Sequence, residues 1–140
     1  MKRARFIRVP AALLAVAVAL AIPQAARGDM EAAGKEAFRT HCAVCHGLEA
    51  RGDGPMADIL DPKPPNLTLL SRANGGFFPY GEVFDTIDGR DQVEAHGTRD
   101  MPIWGEAFLP RGNSHGTDDE LLVYGRILVL TRFLETLQVE

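Results

Sequence analysis

The sequence predicts an all-α domain of a few helices joined by long loops. Three observations predict it. Apolar residues recur at helical rather than alternating spacing in three separate stretches. Gly (14) and Pro (9) are plentiful between those stretches and aromatics are few, a profile of turn-rich connections rather than a sheet. The chain has 140 residues, enough for one domain with a modest core, and such domains often lean on a metal, disulfide or cofactor.

The first element reads as an address. Lys2, Arg3, Arg5 and Arg8 form a basic region, and Pro10 to Ile22 is almost wholly apolar. That run is short for a membrane span, which needs roughly 20 residues, and it has the length of a signal-peptide core. Residues 1–26 are therefore expected to be a signal peptide cleaved near Ala25 or Ala26, with an uncleaved anchor as the alternative, and 27–140 the domain. Of the 15 Lys and Arg, four lie in the basic region, leaving 11 against 19 Asp and Glu, so the domain carries −8. An acidic surface argues against nucleic-acid binding. It fits either simple solubility or a redox partner with a basic docking surface.

Next, Asp29 is placed to cap a helix in which Met30, Ala33, Ala37 and Phe38 fall at helical spacing and which runs into Cys42. From Gly47 to about Gly76, Gly52-Asp53-Gly54-Pro55, Pro62, Pro64 and Pro65 leave room only for a turn of helix around Met56 to Leu60. Tyr80, Val83, Phe84 and Ile87 predict a short helix, stopped by Gly89. A second loop spans Arg90 to Gly116. The last helix opens with Thr117 and Glu120 spaced as a capping box. It carries Val123, Ile127, Leu130, Leu134 and Leu137 as a stripe widened by Tyr124 and Phe133. Gly125 costs that helix about 1 kcal/mol relative to Ala, and close helix contact is one reason to keep it. Loops this long are uncommon in compact domains unless something functional organises them. A flat apolar cofactor of haem size would do so.

Cys42-Ala43-Val44-Cys45-His46 is a C-x-x-C-H run, the signal for c-type haem attachment. Two thiols three positions apart can each form a thioether to a haem vinyl group, and the adjacent His offers its imidazole to iron. Three readings compete. A thioredoxin-like pair wants a βαβ pattern that is not seen. Structural zinc wants four ligands, and His41, His96 and His115 match no common spacing. A disulfide here would close a loop too small to constrain the chain much. The second axial position has Met101, Met56, Met30, His96 and His115 as candidates. Met101 stands out because Pro102 stiffens the chain after it, although a lone Met is as readily core filler.

From about Gly34 to Gln138 the chain resembles bacterial class I cytochromes c, the monohaem type with His/Met ligation. Gly34, Phe38 and Cys42, spaced four apart, are similar to the family's N-terminal helix. Gly47 and Gly52-Asp53-Gly54-Pro55 resemble its next turn, and Pro64-Pro65-Asn66-Leu67 its Pro-Asn-Leu turn. Met101-Pro102-Ile103-Trp104-Gly105 resembles the methionine-ligand segment, and Leu130, Phe133 and Leu134 its C-terminal helix. The resemblance implies N- and C-terminal helices packed together near Gly34 and Phe38, with long loops enclosing one haem. It implies His46 and Met101 as axial ligands. The Pro65 carbonyl would accept the His46 N–H, with Pro55, Pro62 and Pro64 near enough to compete. Trp104 would pack on the ring edge or donate to a propionate. The segment Asp88 to Arg99, with Arg90 and His96, and the insertion Arg111 to Gly116 depart from the shortest members.

The function expected is a periplasmic one-electron carrier, a monomer reduced and oxidised by partner proteins, with haem c and its iron as cofactor. The alternative in the same class is the electron-accepting subunit of one oxidoreductase. An open-site haem enzyme or gas sensor would require Met101 to leave iron unbound. No convincing set of catalytic acid, base and nucleophile is found, so a carrier rather than an enzyme is expected.

Overall fold

The computed structural model describes residues 28–90, 101–110 and 116–139. The expected signal segment, His96, His115 and Arg111 with the residues up to 115 lie outside them. The described residues are helical, with no strand among them, so the all-α expectation holds. None of their helices is long and apolar enough to cross a membrane.

Helix α1 occupies 28–41. It already contains Asp29, so that residue does not cap it. α6, Thr117–Thr136, is the longest described element. It buries Val123, Ile127, Leu130, Thr131, Phe133 and Leu134, a stripe at helical spacing that the sequence pattern anticipates except for Thr131; Tyr124, expected to widen it, is exposed. That hydroxyl is accommodated in the core by donating to the Ile127 carbonyl at 2.9 Å.

The two helices cross where α1 is smallest. A Cβ on Gly34 would overlap the Val129 carbonyl oxygen and lie 2.7 Å from Phe133 Cβ. One turn later Phe38, 1% exposed, meets Phe133 with ring centroids 5.5 Å apart. Burying a Phe side chain contributes roughly 1.5–3 kcal/mol. Gly125, by contrast, faces open space; the close approach uses the glycine of the other helix.

The start of α6 also differs from expectation. Gly116 is extended and Thr117 is already helical. Asp119 reaches back to accept the Gly116 N–H at 3.4 Å. Asp118, Asp119 and Glu120 crowd the first turn, where the helix dipole favours negative charge. Glu120 turns instead toward Arg90.

α4, Tyr80–Asp88, packs Val83 and Ile87 inward and ends at Gly89 in the left-handed region (φ 68°). Phe84 meets Tyr124 of α6 at 6.0 Å. The long loops contain more order than their punctuation suggests. Single 3-10 turns lie at Ala57–Ile59 and Leu67–Leu69, a helical turn α3 at Leu70–Ala73, and another, α5, at Trp104–Ala107. Asn66 starts the Leu67 turn by accepting from the Thr68 N–H at 2.9 Å and its hydroxyl at 2.7 Å, the short-range bonding that favours Asn in turns.

The chain end ties back onto that turn. Gln138 Nε2 donates to the carbonyls of Leu67 and Leu134, each at 2.8 Å, and its Oε1 accepts the Ser71 N–H at 2.9 Å. The Val139 N–H donates to the Thr68 carbonyl at 3.0 Å.

Candidate cofactor site

The C-x-x-C-H run lies on helical backbone. α2, Ala43–His46, follows α1 almost without a break. Cys42 N–H donates to the Phe38 carbonyl at 2.8 Å, and His46 N–H to the Cys42 carbonyl at 2.9 Å. Positions i, i+3 and i+4 share one helix face, so Cys42, Cys45 and His46 present their side chains together. Cys42 and His46 are each 9% exposed, and Cys45 is half-buried.

The turn after His46 wraps the end of α2. The N–H groups of Gly52, Gly54 and Met56 donate to the carbonyls of His46, Cys45 and Val44 at 2.8, 3.2 and 3.0 Å. These are the carbonyls a helix end leaves without partners. Such close wrapping needs glycine. A Cβ on Gly54 would sit 2.6 Å from the Ala43 carbonyl oxygen, and Gly52, at φ +76°, is pressed against the Pro64 carbonyl. Leu67 N–H then donates to the Ala50 carbonyl at 2.8 Å, holding the Pro64-Pro65-Asn66 stretch beside the motif.

That stretch acts on His46. Burial lowers the imidazole pKa, and the Pro65 carbonyl, drawing on a ring N–H, pulls it part of the way back. Nδ1 is buried with no acceptor inside strict hydrogen-bond geometry, so the carbonyl acts on the ring at a looser geometry than a full hydrogen bond. A ring kept neutral by burial, with one nitrogen directed to a carbonyl, is the form in which His binds metal. Burial also pushes the Cys42 thiol up to about 12, helped by neighbouring Cys45.

Of the other sulfur candidates, Met30 lies twelve residues before Cys42, about 18 Å along a helix. Met56 is tied by its N–H to Val44, on the motif's own side. Met101 lies elsewhere, half-buried against the core cluster that also contains Cys42, Ala43, Ile87 and Phe108. Trp104 sits three residues on, its ring 5.3 Å from Phe108 and 5.5 Å from His41. Arg90 joins Glu120 of α6, and Gln138 ties Leu67 and Ser71 to the end of α6. Their roles depend on partners 30 and about 70 positions away, which local pattern does not reveal.

The residues suit a covalent haem: two free thiols and a buried, neutral imidazole share one face. Among known proteins, the model of the cytochrome c family matches residues 31–83. No curated protein and no solved structure matches the chain. The family match supports a c-type cytochrome, whose domain implies covalently bound haem c with its iron and haem-based electron transfer. It spans Cys42, Cys45, His46 and Pro65 and ends before Met101 and Trp104.

Proposed function

We propose that this protein is a periplasmic, monohaem electron carrier of the class I type. Cys42 and Cys45 hold haem c through thioethers, and His46 and Met101 are the axial ligands of its iron. The observation that carries the reading is the single face shared by Cys42, Cys45 and His46, of which Cys42 and His46 are buried. The haem supplies a one-electron iron couple. The chain's residues do the rest. His46 stays neutral and fixed in orientation. The Met101 thioether favours the reduced iron and raises the potential. Trp104 packs on Phe108 and, with Met101, against the core. With His46 and Met101 both bound, the iron would have no place left for a small ligand. Export rests on the basic and apolar run at residues 1–26. The partners would be redox proteins with basic docking surfaces, met by an acidic domain.

The test is the visible spectrum of the protein, oxidised and reduced, with and without carbon monoxide. Sharp c-type bands unmoved by carbon monoxide are expected. In Met101→Ala the same gas should shift the bands and the potential should fall. Bands that move in the unaltered protein would transfer weight to an open-site enzyme or sensor.

A further inference from the structure

α5 is a single turn, Trp104–Ala107, too short to be stable on its own. The segment Met101 to Gly105 therefore needs an external fastening. Packing of Met101 and Trp104 on the core supplies part of it, and one ion pair adds to it. Arg90, just past the end of α4, donates from Nε to Asp88 Oδ1 at 2.6 Å and from Nη2 to Asp88 Oδ2 at 3.2 Å. Its Nη1 donates to Glu120 of α6 at 2.8 and 3.1 Å. The guanidinium also lies 5.4 Å from the centre of the Tyr124 ring. The group is mostly buried: the Arg90 and Asp88 side chains are 21% and 13% exposed.

This ion pair lies directly on the Gly105 backbone. A Cβ there would overlap Asp88 Oδ1 and Arg90 Nε and come within 2.8 Å of Arg90 Cδ. The planar fork of Arg suits such bidentate bonding, and Lys would replace it poorly.

The geometry points to Arg90 as a positioning residue for Met101: held between Asp88 and Glu120, it seats Gly105 and so fixes the segment that carries the methionine. The inference rests on the reading of Met101 as an axial ligand. Arg90 thereby sets how often the sulfur leaves iron, because a displaced Met101 segment must also lift off the ion pair.

The experiment titrates the ferric holoprotein with imidazole, following loss of the far-red sulfur-to-iron band. Imidazole binds only when Met101 is off, so its apparent affinity reports the open population. Arg90→Leu is expected to bind imidazole about tenfold more tightly than the unaltered protein, and Arg90→Lys to fall between. Glu120→Gln removes one anchor with less risk to folding and should shift affinity the same way, about threefold. Phe133→Leu, at the α1–α6 crossing, controls for general loss of stability. It should lower Tm and leave imidazole affinity unchanged. Unchanged affinity in the Arg90 and Glu120 variants would overturn the proposal, as would an equal rise in Phe133→Leu. A far-red band that persists in Met101→Ala overturns the axial reading itself, and is distinguishable because it does not depend on Arg90.

Discussion

Cys42 shows how one side chain couples burial to protonation. Its thiol is pushed from an ordinary 9.0 up to about 12. In the haem-free chain the unfolded state releases this proton first as pH rises. Above 9.0 the folded state therefore holds more protons than the unfolded, and stability falls with pH. The contribution is complete below 9.0 and is lost as pH rises from 9.0 through about 12. Urea unfolding of the haem-free chain across that range is expected to show this slope, and Cys42→Ala to flatten it. An unchanged slope in the variant would place the proton elsewhere. The proposed site is legible at this scale where chemistry is local: five consecutive residues, Cys42 to His46, hold both thiols and the imidazole on one face. Pro65 needed the resemblance, because several prolines share its neighbourhood. Arg90 and Gln138 stayed hidden, since nothing in the chain around them shows which distant backbone they grip.

Two glycines on helices have opposite meanings. Gly34→Ala would add helix propensity but overlap Val129 backbone at the α1–α6 crossing. Overpacking of this kind costs about 1–3 kcal/mol, so thermal unfolding should show a lowered Tm. Gly125→Ala meets open space and should stabilise by about 1 kcal/mol, raising Tm by several degrees. A stabilised Gly34→Ala would disprove the crossing. Helical periodicity marked α4 and α6 well, and Gly89 ended α4 as expected. It could not tell which helix supplies the glycine at the crossing, because contact between elements leaves no trace in the spacing of one. The capping box failed for a similar reason. Thr117 and Glu120 have the right interval, but Glu120 pairs with Arg90 and the chain turns one residue earlier.

At the scale of the molecule, charge and loops matter most. The chain carries −4 formally, and its cationic N-terminal run masks a more acidic domain. Electron exchange with a basic redox protein is therefore expected to slow several-fold as ionic strength rises from about 0.01 M to about 0.15 M, following the shrinking Debye length. With an acidic partner the trend should reverse. Stopped-flow rates against salt decide it, and a flat profile for both partners would reduce the acidic surface to a solubility device. The all-α class was legible from composition and period together. The turn at Ala57–Ile59 falls where the punctuation left room for one; those from Leu67 to Ala73 were not legible, because Asn66 and Gln138 order them through single hydrogen bonds rather than through any periodic pattern.

The grip of Gln138 on Leu67 and Ser71 has a consequence in time. Its partners lie 67 and 71 positions away, so this fastening forms only when two distant segments meet. The helix that presents Cys42, Cys45 and His46 needs only neighbouring residues. Presentation of the thiols and closure of the Pro65 loop are thus separable events, one local and fast, the other waiting on the docking of α6.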